Sequence, residues 1–317
     1  MKKNILVIKH GALGDIILAG SAMQAIRNYH QNDNIICLTS VAFKSLLENS
    51  PWFDKVIIDY KPKWSDIKGW IKLKVFFNKY NFIKIYDLQT STRSNLYFYF
   101  FHVYKSSGWS GIALGSKYRH KNKNRKNMHT IYRQKDQLKL AGIKYDYLPD
   151  WRWLANNYEN KNIIYKGKYV IMVTGAAKHR KNKRWPAVRY SNLIEVLSNI
   201  GIKSILIGGP EEFENINKII IQVKKTIEFM PLNYAGKTSV KDIVFLSKYA
   251  ICAVGNDTGP MHVLASSGLR SIVLFGAGSN PDLCAPMGKN VHILHKNCIK
   301  DIKVDKVCKI LKMIGID

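Results

Sequence analysis

Short apolar segments alternate along this chain with longer amphipathic ones, and few folds accommodate that alternation. The first half contains four apolar segments that we predict to be strands, at residues 4–9, 35–39, 56–58 and 83–86. The first of them leads through a glycine-containing turn into an amphipathic segment, residues 15–29, which predicts a helix. Strands that alternate with helices are typical of α/β domains built on a parallel sheet.

The second half repeats this pattern. Its predicted strands lie at residues 169–173, 204–207, 251–254 and 271–275, and its predicted helices at residues 186–199, 211–224, 240–247 and 259–267. A chain of 317 residues is long enough for two domains of this type. We therefore predict two doubly wound α/β domains that face each other across a cleft.

The predicted domains are residues 1–155 and residues 156–317, with the polar segment 156–168 as the linker between them. One alternative is that the final helix packs back on the first domain. Doubly wound sheets bind ligands outside the carboxyl ends of their strands. A two-domain arrangement of this kind is therefore expected to hold its ligands in the cleft.

The chain is strongly basic, with 50 Lys and Arg residues against 22 Asp and Glu residues and a formal net charge of +28. Both halves contribute, because residues 1–155 contain 26 basic and 10 acidic residues and the remainder contains 24 and 12. This excess favours an acidic partner or an anionic membrane surface, although a compositional bias toward Lys, Asn and Ile would explain it as well. Residues 117–126 include six Lys or Arg and no acid, which predicts an exposed loop.

Cysteine spacing and the length of apolar segments bear on the cellular location. The five cysteines are odd in number and form no C-x-x-C pair, so neither a disulfide framework nor a zinc site is indicated. The apolar stretch at residues 5–8 is too short for a signal peptide, so we expect the mature chain to begin near Met1. The aromatic residues 96–104 are too few to span a membrane and predict a buried helix, with contact to lipid as the alternative. A cytoplasmic protein is therefore expected.

The first candidate site follows the first predicted strand, in the sequence H-G-A-L-G-D that ends at Asp15. Gly11 and Gly14 would allow a tight turn and a close approach of ligand to backbone. Only two glycines are present, so the full G-x-G-x-x-G motif is missing, which disfavours a nicotinamide dinucleotide. Asp15 lies at the predicted helix start, where it would serve either as a helix cap or as a general base.

A second candidate site follows the predicted strand at residues 251–254 and enters a helix. The backbone amides of Thr258 and Gly259 would form an anion site suited to a diphosphate. Asp257 is interpreted either as a helix cap or as a binding residue, and His262 either as a packed helix residue or as a binding residue. Residues 276–281 repeat the strand-then-glycine arrangement at the same sheet edge.

A basic loop and a glycine turn follow two further predicted strands. Residues 175–186 contain five Lys or Arg and end at Pro186, which is typical of a helix start. Lys183 would neutralise phosphate charge there, whereas the simpler interpretation is a solvated loop. In the G-G-P-E-E turn, either Glu211 or Glu212 would accept the ribose hydroxyls of a nucleotide, as acidic residues do at other nucleotide sites. Interaction with the helix dipole explains both glutamates nearly as well.

Taken together and in this order, L-G-D, K-R-W-P, G-G-P-E-E and G-N-D-T-G-P-M-H resemble the motifs of glycosyltransferase family 9, the lipopolysaccharide heptosyltransferase family. They extend from residue 11 to residue 262 and so cover most of the chain. The resemblance implies a GT-B fold of two Rossmann-like domains. It also implies that the second domain holds most of the donor, that the first holds the acceptor, and that transfer proceeds with inversion.

The resemblance also implies a role for each matching residue. Asp15 would be the catalytic base that takes the proton from the acceptor hydroxyl, and Lys183 would hold the donor phosphates. Either Glu211 or Glu212 would lie near the nucleoside ribose, and the remaining donor-binding residues would be Asp257, Thr258, Gly259 and His262. Ala176 and Ala177 stand where the family often has hydroxyl residues, which puts phosphate contacts of that loop in doubt. No D-x-D pair occurs near the donor loop, so neither a metal ion nor a cofactor is expected.

The function implied is transfer of a heptose from ADP-heptose to an acidic lipid or oligosaccharide acceptor of the lipopolysaccharide inner core. Such an enzyme would work at the cytoplasmic face of the inner membrane, with peripheral membrane contact as an open alternative. A related enzyme that uses a different nucleotide sugar or acceptor is the nearest competing hypothesis. A basic binding protein for nucleic acid, using residues 117–126 and 178–184, is disfavoured, and no nucleic-acid partner is expected.

Overall fold

The computed structural model describes residues 2–100, 108–163, 165–175, 181–224 and 227–317, with the side chain of Lys181 excepted. The chain forms two compact units, Met1–Pro149 and Asp150–Asp317. Each unit contains a six-stranded sheet in which every neighbouring pair of strands is parallel.

The first unit has its strands in the order β3-β2-β1-β4-β5-β6. These are β1 (Asn4–Ile8), β2 (Asn34–Thr39), β3 (Lys55–Ile58), β4 (Lys84–Asp87), β5 (Gly108–Gly111) and β6 (Tyr118–Arg119). The helices described are α1 (Leu13–Leu18), α2 (Gly20–Tyr29), α3 (Lys44–Glu48), α4 (Ile67–Tyr80), α5 (Thr92–Phe100) and α6 (Thr130–Leu140). A parallel sheet covered by helices requires strands that are apolar along their whole length, and residues 5–8 of β1 are fully buried.

The second unit has its strands in the order β12-β11-β10-β7-β8-β9. These are β7 (Tyr169–Val173), β8 (Lys203–Ile207), β9 (Leu232–Asn233), β10 (Cys252–Asn256), β11 (Ser271–Phe275) and β12 (Val291–His295). The helices described are α7 (Ala187–Asn199), α8 (Phe213–Gln222), α9 (Val240–Ser247), α10 (Gly259–Ser266), α11 (Pro281–Cys284) and α12 (Val304–Met313). The two units therefore share one strand order, read in opposite directions.

In each unit the strand order reverses direction at one place, between β1 and β4 in the first and between β7 and β10 in the second. Connections on the two sides of such a point leave in opposite directions, which opens a crevice outside the carboxyl ends of the two strands. The prediction of two doubly wound α/β units is confirmed. We therefore expect a ligand site in each unit at the carboxyl ends of these two strands.

Most of the predicted strands and helices are confirmed, with corrections at their ends. The helix predicted at residues 15–29 begins earlier and is divided at Ala19, whose amide donates to the carbonyls of both Asp15 and Ile16. The helix predicted at residues 211–224 begins with a 3₁₀ turn, Pro210–Glu212, before α8. Pro186, lacking an amide hydrogen, forms the N-cap of α7 rather than its first residue.

The predicted linker is wrong in its first part. The boundary between the two compact units falls after Pro149, six residues before the predicted one. Trp151 is fully buried, and its amide donates to the carbonyl of Ser266 in the second unit. Tyr158 and Asn160 both donate to the carboxylate of Asp242 at the start of α9. The polar residues that suggested a linker therefore attach this segment to the second unit.

Three further expectations are refined by the structure. The final helix, α12, contributes Val307 and Leu311 to the core of the second unit. Residues 117–126 include strand β6 and a buried His120, so the exposed-loop prediction holds only for the lysines and asparagines of residues 117–126. The aromatic helix predicted at residues 96–104 forms α5 as far as Phe100, and residues 101–104 lie outside the described part. Within α5, Tyr97 and Phe98 are buried, whereas Tyr99 and Phe100 are close to half exposed.

Candidate functional site

The second unit assembles its candidate site where β7 and β10 end, and Asn256 holds these two strand ends together. Its side chain is completely buried. The amide nitrogen donates to the carbonyls of Thr174 and Gly175, which follow β7. The amide oxygen accepts from the backbone of Trp185 and from the hydroxyl of Tyr190. Asn256 therefore fixes both ends of the basic loop against β10.

Lys183, which this arrangement brings to the sheet edge, forms a buried ion pair. Its Nζ lies 2.7 Å from Oδ2 of Asp257, and the two side chains are only 9% and 6% exposed. Gly278, in the loop after β11, packs on the stem of the lysine, because a Cβ at this glycine would lie 2.7 Å from Lys183 Cγ. Loops after three neighbouring strands therefore converge on one cation.

The carboxylate of Asp257 has two further partners. Ser279 Oγ donates to Oδ2 at 2.7 Å, and His262 Nε2 lies 3.5 Å from Oδ1. Burial alone would raise the pKa of the Asp257 carboxyl, but the contacts with His262, Lys183 and Ser279 outweigh burial and lower its pKa to about 2. Asp257 is therefore ionised at neutral pH, and its acceptor atoms are engaged by the residues that it orients.

Helix α10 begins directly after this carboxylate. Its first helical hydrogen bonds run from Met261 and His262 to the carbonyl of Thr258. The amides that precede them, at Thr258 and Gly259, are the ones that an anion would use at this helix start. Cation, helix terminus and glycine loop together form the arrangement expected for a diphosphate.

The structure distinguishes the two glutamates of the G-G-P-E-E turn. Glu211 is exposed, whereas Glu212 is buried and accepts from the amide of Gly209 at 2.8 Å. Gly175 at the end of β7 leaves room for this carboxylate, because a Cβ there would lie 1.5 Å from Oε1 of Glu212. Burial raises the pKa of Glu212. Glu212 is therefore the glutamate that points to the edge where β7 and β10 end.

In the first unit, Asp15 lies in the first turn of α1 and is partly exposed. Its Oδ2 accepts from the amide of Ala12 at 3.1 Å, which is a capping contact. Gly11 has φ +130°, and a Cβ on it would lie 2.3 Å from the ring of Phe43, so the turn before the helix requires glycine here. Gly14 is the second residue of α1 and lies outside the turn, so its predicted turn role is wrong, whereas a close approach of ligand at Gly14 stays a prediction.

Cationic groups lie near Asp15, where β1 and β4 of the first unit end. Lys9, 4% exposed, follows β1, and its Nζ lies 3.4 Å from the carbonyl of Leu88 after β4. Burial lowers the pKa of Lys9, while the charges of Asp15 and Asp87 oppose that change. Arg125 donates to Thr90 Oγ1, and burial together with the nearby charge of Arg133 lowers the pKa of Arg125 to about 10. An acidic ligand beside Asp15 would find positive charge here.

A buried aromatic and imidazole network lies next to these groups. His10 Nε2 is 2.9 Å from Oδ2 of Asp59, and the Tyr97 hydroxyl donates to the same oxygen. Burial alone would raise the pKa of Asp59, but these two partners outweigh burial and lower it. The amide of His10 donates to Gln89 Oε1, which joins the turn after β1 to the loop after β4.

The predicted residues thus form two groups, one in each unit. Lys183, Asp257, Thr258, Gly259 and His262 cluster at one sheet edge, Glu212 adjoins them, and Asp15 lies at the corresponding edge of the first unit. Sequence reasoning missed Asn256, Ser279 and Arg125 as site residues. Asn256 directly precedes the predicted aspartate, so its position at a strand end was the available signal. Ala176 and Ala177 lie outside the described residues.

Within the described ranges, no group of three or more His, Cys, Asp or Glu side chains could hold a metal ion. The expectation that no metal is needed stays a prediction. None of the helices that the structure describes is both long and apolar enough to cross a bilayer.

Solved structures show the class of fold to which the chain belongs. A glycosyl transferase family 9 protein from Veillonella parvula aligns with a TM-score of 0.82 over 98% of this chain and 97% of its own, at 20% identity. An E. coli protein described as ADP-heptose lps heptosyltransferase II aligns with a TM-score of 0.78 over 99% and 98%, at 19% identity. The fold is therefore the GT-B glycosyltransferase fold, as predicted.

Sequence comparison then identifies the family. The family model for glycosyltransferase family 9 (heptosyltransferase) matches residues 70–314. Lipooligosaccharide heptosyltransferase 2 of Campylobacter jejuni subsp. jejuni serotype O:6 is 25% identical over 320 aligned residues, which cover 96% of each protein. The chain belongs to glycosyltransferase family 9 and is a glycosyltransferase.

Proposed function

We propose that this enzyme transfers a heptose from ADP-heptose to an acidic acceptor of the lipopolysaccharide inner core, with inversion and with Asp15 as general base. The observation that carries the proposal is the group of Lys183, Asp257 and the start of α10 at the point where β7 and β10 end. It combines a cation with helix-terminal amides, which is what a nucleotide diphosphate requires. The name of the E. coli structural relative supports ADP-heptose as the donor.

The second unit is proposed to hold the donor. Lys183 and the amides of Thr258 and Gly259 would bind the diphosphate and stabilise the negative charge that grows as the nucleotide leaves. Asp257 is assigned the task of holding Lys183 and His262 in place, because a carboxylate next to phosphate oxygens would repel them. Glu212 is proposed to accept the ribose hydroxyls, since its carboxylate is anchored and lies at the right edge.

The first unit is proposed to bind the acceptor. Asp15 would take the proton from the attacking hydroxyl, and its contact with the Ala12 amide would hold the carboxylate in place. Lys9, Arg125 and Arg133 would attract the phosphate or carboxylate groups of an inner-core acceptor. The heptosyltransferase names of relatives such as the Campylobacter jejuni protein support this acceptor class. We place the reaction at the cytoplasmic face of the inner membrane.

The donor is tested by incubating the purified full chain with a Kdo-bearing lipid A acceptor and a panel of nucleotide sugars. The proposal expects product with ADP-heptose, detected by mass spectrometry as a heptose added to the acceptor. Product with a different nucleotide sugar, and none with ADP-heptose, would reject the heptose assignment and favour the related enzyme with another donor. An acceptor that lacks Kdo and phosphate serves as the control for the proposed acidic acceptor.

A further inference from the structure

Helix α4 in the first unit has an apolar stripe on its outer surface. Leu73 and Phe77 point into the core. On the outer surface, Ile67, Ile71 and Val75 are 71%, 55% and 59% exposed. Their spacing of four residues places them one above another on a single face. Because surface helices normally carry polar residues there, this stripe requires an explanation.

Lysines flank the stripe. Lys68, Lys72, Lys74 and Lys79 are all exposed, and no acidic residue occurs anywhere within α4. Asp66, which precedes the helix, is the N-cap, and its side chain accepts from the amide of Gly69. The outer face of α4 is therefore both apolar and positively charged.

Positive charge alone does not distinguish α4 from other helices of this basic protein. Helix α12 also exposes lysines, at positions 306, 309 and 312, but its apolar residues Val307 and Leu311 are buried in the core of the second unit. Helix α12 also carries the acidic residue Asp305 in its first turn, and it lacks an exposed aliphatic stripe like that of α4. A ligand for α4 must therefore cover aliphatic side chains as well as satisfy lysines.

The amino-terminal end of α4 adjoins the candidate site of the first unit. Trp64, which is 67% exposed, stacks on Trp70 with ring centroids 5.7 Å apart. Trp70 in turn contacts Tyr97 at 6.2 Å, and Tyr97 donates to Asp59 in the network that includes His10. A surface bound along α4 would thus lie close to the proposed acceptor-binding residues.

We propose that this outer face is a docking surface for an anionic lipid bilayer. We call it the α4 face, and it consists of Trp64, Ile67, Ile71, Val75, Lys68, Lys72, Lys74 and Lys79. Helices that lie in a membrane interface insert an apolar stripe among the acyl chains and place lysines at the level of the phosphates. Tryptophan favours the same interfacial depth. The α4 face combines all three features.

Two other ligands for the α4 face, a second copy of the chain and a nucleic acid, fit it less well. In a symmetric dimer the α4 face would meet its own copy, which would bring lysines against lysines. A nucleic acid would satisfy the lysines, but its phosphate backbone offers nothing apolar to cover Ile67, Ile71 and Val75. The proposal goes beyond the transfer reaction and does not depend on the identity of the donor or the acceptor.

Vesicle cosedimentation of the full chain, without donor or acceptor, tests the proposal. The wild type is expected to bind vesicles of phosphatidylcholine with phosphatidylglycerol and not vesicles of phosphatidylcholine alone. One variant replaces the stripe (Ile67→Ser, Ile71→Ser, Val75→Ser), and a second replaces the charge (Lys68→Gln, Lys72→Gln, Lys74→Gln, Lys79→Gln). The first should lower the partition coefficient roughly tenfold or more, and the second roughly a hundredfold.

The matched control removes the same charge from α12 (Lys303→Gln, Lys306→Gln, Lys309→Gln, Lys312→Gln), and it should change partitioning no more than about threefold. Failure of the wild type to bind anionic vesicles, or equal losses in the control and the α4 variants, would overturn the proposal. A concentration-dependent dimer that the serine variant abolishes would assign the face to a second copy instead. Transfer to a detergent-solubilised acceptor should survive in both α4 variants, so a failure of this proposal is distinguishable from a failure of the proposed function.

Discussion

In the second unit, Lys183 and Asp257 form an ion pair of 2.7 Å that is almost closed to solvent. Burying two charges is costly unless each finds its partners, and here Ser279 adds a hydrogen bond to the same carboxylate oxygen. The pair joins the basic loop after β7 to the turn after β10. The ion pair therefore holds Lys183, the proposed phosphate-binding cation, at the place where β7 and β10 end.

Replacement of Lys183 by Met should weaken donor binding, because the diphosphate loses its buried cation. We expect the Kd of ADP, measured by isothermal titration calorimetry, to rise roughly a hundredfold, in line with the loss of one buried charge-assisted contact. The variant also leaves Asp257 buried without its cation, which should cost roughly 3 to 5 kcal/mol of stability. The double variant Lys183→Met, Asp257→Asn should regain most of that stability without regaining donor affinity. A Kd within twofold of the wild-type value would contradict the assigned role, and Lys218→Met on the exposed face of α8 is the control.

Stability at acidic pH should depend on Asp257. Its pKa lies below its ordinary value of 3.8, at about 2 in the folded protein, so its ionised form stabilises the fold at every pH above about 4. That contribution, about 2 kcal/mol, is lost as the pH falls through 2. Urea unfolding between pH 5 and pH 2 should therefore show a steeper loss for the wild type than for Asp257→Asn. If the free energy of unfolding fell equally with pH in the two proteins, the contacts of ionised Asp257 would not stabilise the fold.

The two neighbouring glutamates should behave differently. Glu212→Ala removes the anchored carboxylate and is expected to raise the Kd of ADP roughly tenfold, in line with one lost hydrogen bond to a charged group. Glu211 is the exposed neighbour, and Glu211→Ala should change the Kd of ADP by less than about twofold. Because burial raises the pKa of Glu212, its carboxylate is protonated at a higher pH than an ordinary glutamate. Nucleotide affinity should accordingly begin to fall at a higher pH on acidification. A larger effect from Glu211→Ala would reverse the assignment.

Asn256→Ala should be among the most destabilising polar substitutions in the second unit. It would leave the carbonyls of Thr174 and Gly175 and the amide of Trp185 without the partner that each has now. Buried groups without partners cost roughly 1 to 3 kcal/mol each, and we expect a loss of about 3 kcal/mol or more in chemical denaturation. Asn280→Ala, which removes only an exposed cap on α11, should cost about 1 kcal/mol. Similar losses of unfolding free energy for the two variants would show that Asn256 does not hold the basic loop against β10.

The sequence predicted the elements that carry a strong local signal. Apolar strands such as residues 169–173 and 271–275, and the turn at Gly11, follow from hydrophobic runs and backbone geometry that neighbouring residues determine. The family motifs led to Asp257 and Lys183. Their pairing is a contact between residues 74 positions apart, which only the fold establishes.

Other features depended on contacts that no local pattern reveals. The polarity of residues 156–168 predicts a linker, yet Tyr158 and Asn160 donate hydrogen bonds to Asp242. His120 lies in a run of lysines, but it is buried by its contacts with Asp136 and Arg125. The sequence also could not show which of Glu211 and Glu212 is buried, because the buried carboxylate fits in the space that Gly175 leaves. In each case tertiary partners decided the burial of a polar side chain.

The assignment of Asp15 as general base is tested most directly by Asp15→Asn, because asparagine also caps helices and should keep the contact with the Ala12 amide. The measurement pairs the kcat for heptosyl transfer with the Kd of ADP for the same protein preparation. The account predicts that kcat falls roughly a hundredfold to ten-thousandfold while the Kd stays within about twofold. Transfer at close to the wild-type rate would show that Asp15 is only a helix cap and that the base lies elsewhere.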